Sequence, residues 1–377
     1  MNHIAFVIPG LDRIGGAERQ VILLAKGLEK RGWRVSVVAL SGTGGDAAAD
    51  LTAVGITFLT LQMRKGLADA RGWIRFHHWL RQQAPDVVHA HLPHAAWLAR
   101  WSRLAAPVRV VIDTLHSSHT GTFGRGIGYR LSGWLPDEVT AVSHAVADSH
   151  MACKMAQQIT VLPNGVDTDA WQPDSAVRAS LRRDLSLHDK FLWFAAGRLD
   201  PVKDYPTLLS AMAQLQPAAH LVIAGGGPCE RELRQQSAVL GLESRIRFLG
   251  FESDLRRWMQ AADGFVLSSR WEGLPMALLE AAACELPTVA TDVPGTREVV
   301  VAGHTGWLAP PGQPAVLAEG MESVMRTSVD ARKTMGRHAR QQVLERFSLE
   351  AVLDRWEALY RQLLLHRPKP RSHGKSV

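Results

Sequence analysis

The sequence predicts an α/β protein of two similar-sized domains, each a parallel sheet doubly wound by helices. Three observations predict it. At 377 residues the chain is too long for one ordinary core. Short apolar runs bounded by turn residues alternate with longer helix-periodic stretches, the pattern of parallel strands joined by crossover helices. That pattern restarts after PNGVDTDAWQPD, a loop at 163–174 rich in Pro, Asn, Gly and Asp.

In chain order, the apolar runs Ile4–Ile8, Val35–Leu40, Ile56–Leu59, Val87–His89, Val108–Ile112 and Val139–Val142 read as strands of the first domain. Helical periodicity marks Ala17–Lys30, Asp69–Gln83 and His144–Gln157 between them. After the loop, Phe191–Ala196, His220–Ala224, Arg245–Leu249, Gly264–Leu267 and Thr288–Ala290 read as strands again. Helical patterns close the chain from Pro314 to about Leu365. The domains are therefore set at 1–165 and 166–350. The last 17 residues hold Arg361, Arg367, Lys369, Arg371 and Lys375 but no acid, which reads as a solvated, frayed tail, with an auxiliary membrane-surface contact as the alternative.

Composition narrows the class. With 46% hydrophobic and 21% charged residues the chain is globular, neither disordered nor collagen-like. A net charge of +7 suits anionic partners without choosing among nucleotide diphosphates, acidic lipids and nucleic acid. Cys153, Cys229 and Cys284 are scattered and show no CxxC spacing, so a disulfide framework or zinc site is not expected and a reducing compartment fits. No signal peptide is apparent, and no apolar run reaches the roughly 20 residues of a membrane span.

In open parallel sheets, ligands sit beyond the carboxyl ends of the strands. Several loops at such positions stand out. The first strand runs into PGLDRIGGAERQ, where Gly15 and Gly16 can let backbone N–H groups approach an anion at a helix start, or can simply form a tight turn. Neither GxGxxG nor GxxxxGK[ST] is present, which disfavours dinucleotide binding and a Walker nucleotide triphosphatase. In GRLDPVK (197–203), Gly197 precedes Arg198 and Lys203, a guanidinium that can grip phosphate oxygens and a mobile ammonium. Gly225, Gly226 and Gly227 form a further loop between strand and helix. In RWEGLPMALLEAA, Glu272 and Glu280 bracket a helix start, either complementing its dipole or reaching two parts of one anionic ligand.

GGAE, NGVD (164–167), GRLxxxK (197–203), GGGP (225–228) and E-x7-E (272–280) occur in this order and together resemble retaining GT-B glycosyltransferases of the family 4 type. The resemblance spans nearly the whole chain and includes PTVATDVPGTREVV and GHTGWLAPPG. It implies the GT-B fold, two Rossmann-like domains facing an interdomain cleft that closes over the donor. It also implies that the helix after 350 packs back on the N-terminal, acceptor-side domain, while the second domain holds the nucleotide sugar. Carried onto this sequence, Arg198 and Lys203 would contact the diphosphate and Glu280 the ribose hydroxyls. Glu272, Gly273 and Leu274 would face the donor sugar, with Pro275 in the first helical turn and free N–H groups meeting phosphate. Gly15, Gly16 and Gly197 would border the donor, and Glu18 the acceptor. His116, after VRVVIDT, would lie near the donor sugar and the leaving phosphate.

Other clusters draw plainer readings. His89, His91 and His94 lack an obvious carboxylate or cysteine partner and are assigned structural or cleft-lining roles rather than a metal. Asp167-Thr168-Asp169 mimics a DxD metal motif but falls in the interdomain loop, so no divalent cation or other cofactor is expected. Arg71, Trp73, Arg75, Phe76, Trp79 and Arg81 form either a membrane-lying helix face or an ordinary packed helix.

The expected activity is transfer of a sugar, with retention, from a nucleotide-diphosphate donor to a hydroxyl of a glycan or lipid-linked acceptor. UDP is favoured as the nucleotide, and GGAERQ resembles enzymes of exopolysaccharide, capsule and lipopolysaccharide assembly. No nucleophile suggests double displacement; the family implies front-face attack, with the departing phosphate taking the acceptor proton. A cytoplasmic enzyme, peripheral on a membrane surface and without nucleic-acid partners, is expected. The alternatives are another GT-B enzyme, such as a sugar-nucleotide epimerase, and a non-catalytic nucleotide-sugar-binding protein.

Overall fold

A computed structural model describes residues 1–64, 69–106, 108–118, 128–153, 158–187 and 189–367. The chain divides into two units, one of 1–165 with 349–377 and one of 166–348.

The first unit is built on seven parallel strands: β1 (His3–Ile8), β2 (Arg34–Ala39), β3 (Thr57–Thr60), β4 (Val87–His91), β5 (Val110–Leu115), β6 (Glu138–Ala141) and β7 (Thr160–Val161), in the order β3-β2-β1-β4-β5-β6-β7. The second has six: β8 (Phe191–Ala196), β9 (Ala219–Ala224), β10 (Ile246–Gly250), β11 (Gly264–Leu267), β12 (Thr288–Thr291) and β13 (Gly306–Ala309), in the order β10-β9-β8-β11-β12-β13. Strands bonded on both sides and covered on both faces must be apolar nearly throughout. All six residues of β1 are accordingly buried. Strand order reverses beside β1 and beside β8, so each sheet has a switch point where neighbouring loops diverge, between β1 and β4 and between β8 and β11.

The last helix, Leu349–His366, belongs to the first unit. It lies against the helix Gly16–Lys30, and a Cβ at Gly27 would sit 2.4 Å from Leu353 Cδ1, so glycine is what lets the two approach. Val352, Leu353, Trp356, Tyr360 and Leu364 complete the first core. Arg31 pairs with Glu350, and with Asp354 and Glu357 at 2.7 and 2.8 Å, while Trp33 Nε1 donates to Glu357 Oε1 at 2.8 Å. Residues 361–366 are thus helical rather than frayed: an apolar face anchors them, and Arg361 pairs with Glu357 at 2.9 Å. The tail after 367 lies outside the described residues, as do 154–157 of the expected helix His144–Gln157, which is observed over His144–Ala152.

The expected strand Val108–Ile112 runs instead from Val110 to Leu115. Asp113 breaks the apolar pattern, yet it is fully buried, because Arg100 Nη2, also fully buried, meets its carboxylate at 2.6 Å. An ion pair replaces the water that a lone carboxylate would demand. The shift leaves His116 directly after the strand's carboxyl end.

Candidate functional site

In the second unit, the loops after β8 and β9 are joined backbone to backbone. Gly197 N–H donates to Ala224 O, Leu199 N–H to Gly226 O and Cys229 N–H to Leu199 O, each at 3.0 Å. A Cβ at Gly225, whose φ is +140°, would lie 1.9 Å from Gly197 O, and one at Gly227 would lie 2.3 Å from Leu199 O. These glycines are required for close approach of two chains, which fixes where Arg198 emerges. Arg198 itself is 71% exposed, its Nε 3.1 Å from Asp200 Oδ2.

Asp200 then caps a single 3-10 turn, Pro201–Lys203, accepting from Val202 and Lys203 N–H groups. Asp204 turns the chain in a left-handed conformation and receives Thr207 Oγ1 at 2.9 Å and Arg270 Nε at 3.3 Å. This holds the segment against the loop after β11, where Arg270 N–H donates to Val202 O and Ser268 Oγ to Lys203 O, both at 2.8 Å. Lys203 Nζ consequently lies 2.5 Å from Glu272 Oε1, which also accepts Ser269 Oγ at 2.5 Å. Burial, and then the charges of Glu272 and Asp200, push the Tyr205 phenol far up, so it stays a neutral donor to Gly197 O at 3.3 Å.

The helix after this loop runs Met276–Ala283. Pro275 is its cap, with extended ψ of 115°, and so precedes the first turn instead of occupying it as expected. Neither glutamate complements the helix dipole. Glu272 stands four residues before the helix, committed to Lys203 and Ser269. Glu280 is in the second turn and only 1% exposed, a wall group rather than a surface acid. Its charge, after burial itself, helps push the Cys284 thiol up to about 12. The carbonyls of Glu272 and Gly273 pack on Gly295, where a Cβ would come within 2.6 and 2.5 Å. Leu274 is buried beside them.

Arg198 and Lys203 thus follow the carboxyl end of β8, and Glu272 and the start of Met276–Ala283 follow that of β11, the two strands at the second switch point. Two cations and a helix start suit a diphosphate; carboxylates suit hydroxyls.

The first unit holds a second group of predicted residues. Gly15 caps the helix Gly16–Lys30, and its N–H donates to Glu18 Oε2 at 3.1 Å. That bond makes the glycine pair a capped helix entry, and it turns the Glu18 carboxylate toward the entry. Burial raises the Glu18 carboxyl above its ordinary range. His116 Nε2 lies 2.9 Å from Nδ1 of His91. Burial pushes the His116 imidazole down to about 4 and holds His91 well below its ordinary value. The His89 ring lies 4.2 Å from that of His91, tilted 38° to it, and its two nitrogens meet Tyr360 Oη at 2.8 Å and Thr114 Oγ1 at 2.6 Å. His89 is therefore structural, whereas His91 contacts a predicted site residue, which its spacing in sequence did not disclose. Asp167 Oδ1 accepts N–H groups from Asp169 and Ala170, closing a local turn. In the helix Ala70–Gln83, Phe76 is buried and Trp79 stacks on it at 6.2 Å, while Arg71, Arg75 and Arg81 are exposed.

The model of the family described as Glycosyl transferases group 1 matches residues 177–342, and that of Glycosyltransferase Family 4 matches 14–170. The chain belongs to the GT-B glycosyltransferases of the family 4 type. It is 27% identical over 290 residues to N-acetyl-alpha-D-glucosaminyl L-malate synthase of Bacillus anthracis, covering 74% of this chain and 75% of that one. It is 25% identical over 321 residues to the UDP-Gal:alpha-D-GlcNAc-diphosphoundecaprenol alpha-1,3-galactosyltransferase of Escherichia coli, covering 80% and 81%. The crystal structure of Anabaena Alr3699/HepE in complex with UDP superposes with a TM-score of 0.83 at 23% identity, over 96% of this chain and all of that one. As a member of this family the protein is a glycosyltransferase. Among its described residues no helix is long and apolar enough to cross a membrane.

Proposed function

We propose that the protein transfers a sugar from a nucleotide-diphosphate sugar, UDP-linked by preference, to a hydroxyl of a glycan or lipid-linked acceptor in cell-surface polysaccharide assembly. The observation that carries this is the convergence of Arg198, Lys203 and Glu272 on one switch point, with Glu280 in the wall behind. Arg198 and Lys203 would neutralise the diphosphate and stabilise the charge that grows on it as the glycosidic bond breaks, the kind of preorganised electrostatics that dominates many enzymes. Glu280 would accept from the ribose hydroxyls; Glu272, with the backbone at Gly273 and Leu274, would face the sugar. The Gly15–Gly16 entry and Gly197 would border the donor, Glu18 the acceptor, and His116 would hydrogen-bond the transferred sugar.

The side chains at this site are cations, acids that are already paired or walled in, and donors. None is a free nucleophile aimed at an anomeric carbon, which argues against double displacement; with the retention that the family resemblance implies, the route is front-face attack in which the departing phosphate takes the acceptor proton. Positive charge supplied by Arg198 and Lys203 supports catalysis without a divalent cation. The E. coli relative's acceptor, a diphosphoundecaprenol-linked sugar, supports a lipid-linked acceptor and a cytoplasmic enzyme that visits a membrane surface.

Calorimetric titration of UDP, GDP and ADP into the protein in EDTA, with Glu280→Ala as control, tests the donor site. Binding of one nucleotide, weakened by the substitution, is expected. Equal failure of all three with folded protein would sink the assignment.

A further inference from the structure

Two polar pairs of the first unit, Gly165 with Gln20 and His91 with His116, lie beneath the surface. The Gly165 N–H donates to Gln20 Oε1 at 3.0 Å, and because a backbone N–H needs an acceptor, it identifies the amide oxygen of Gln20 and so its nitrogen. That nitrogen and His91 Nε2 are both buried without a hydrogen-bond partner. Gln20, His91 and His116 line the same crevice, which is too narrow to admit water. An amide NH2 only donates. A buried N–H left without an acceptor is rarer than a bare lone pair, and the Gln20 NH2 in the same crevice supplies no acceptor for a second N–H. His91 Nε2 therefore carries the lone pair and Nδ1 the proton.

We propose that His91 is a positioning residue that donates Nδ1–H to His116 Nε2 and thereby locks His116 in its Nδ1–H tautomer. Held so, His116 meets a sugar hydroxyl or phosphate oxygen as a hydrogen-bond donor, not as a base. Which ring nitrogen bears the proton is set by the bond the other one makes. The ring of His91 packs, tilted, against that of His89, which is tied at both nitrogens. The consequence for turnover rests on the reading of His116 given above; the tautomer does not.

Long-range proton–nitrogen NMR of the full-length protein with labelled histidine, at neutral pH, reads the tautomer directly, with His91→Asn and His116→Asn identifying the two rings. Expected is a protonated Nδ1 and a bare Nε2 on both rings. The opposite tautomer on either, or an averaged signal, overturns the proposal.

UDP release from UDP-glucose, UDP-galactose and UDP-N-acetylglucosamine supplies the second readout. His91→Phe should lower kcat about tenfold or more, the usual scale for a group that orients a functional one, with KM little changed. His91→Asn, whose amide can donate from the Nδ1 position, should recover most of that loss. Normal kcat in His91→Phe overturns the positioning role. Full turnover in His116→Asn instead removes His116 from the reaction while the NMR result stands.

Discussion

Lys203 Nζ and Glu272 Oε1 lie 2.5 Å apart, although 69 residues separate them in sequence. The pair is held by backbone and hydroxyl contacts on both sides, so the ammonium is fixed at the strand ends rather than swinging in solvent. Lys203→Ala should cost kcat by about 100-fold, the scale of losing one preorganised donor, with a smaller change in KM. Steady-state kinetics at saturating donor check it; unchanged kinetics remove Lys203 from the mechanism.

Glu280→Ala should weaken nucleotide binding. Hydrogen bonds to a charged group contribute about 1.5–3 kcal/mol each, so calorimetry should show a loss of about tenfold to a hundredfold. The same titration with the nucleoside's 2′,3′-dideoxy form should show little difference between the two proteins.

Gly225→Ala should destabilise the second unit by about 3 kcal/mol, because the new Cβ meets the Gly197 carbonyl at 1.9 Å and φ is +140°. Urea denaturation reads the loss, and nucleotide affinity should fall with it as Arg198 is displaced. A stability within error of the parent would show that the two loops are not locked together.

Stability should fall on acidification through the histidine range. The unfolded chain binds protons to His89, His91 and His116 near their ordinary value of 6.5, whereas the folded chain leaves His116 neutral down to about 4 and holds the other two well below their ordinary value. With more protons on the unfolded state, unfolding free energy declines as pH falls below about 6.5 and continues to do so to about 4. Denaturant midpoints across this range should slope less in His116→Asn. An identical slope would show that His116 titrates normally in the fold.

Much of this was legible in the sequence. Core strands such as Phe191–Ala196 and Gly264–Leu267 are continuous apolar runs, and burial on both faces writes them that way. The edge strands β7 and β13 were missed. The first is two residues long, and the second, Gly-Trp-Leu-Ala, opens on a glycine that strand propensity disfavours. Arg198, Lys203 and Glu272 were found from local motifs, and the fold brings them to one switch point. The Lys203–Glu272 and His91–His116 contacts were not legible, because each depends on which strands become neighbours. Asp113 misled for a related reason: its partner Arg100 is on another element, and a paired carboxylate reads in sequence like a turn.

The return of Leu349–His366 to the first unit bears on how the molecule is made. On the ribosome, 1–165 emerges with the bed for Trp356 and Tyr360 uncovered, and it must wait while the entire contiguous second unit is synthesised. That second unit, 166–348, is complete as soon as it appears. The first unit closes only once Leu349–His366 has followed, so a chain terminated before that helix presents an open apolar face for quality control to find.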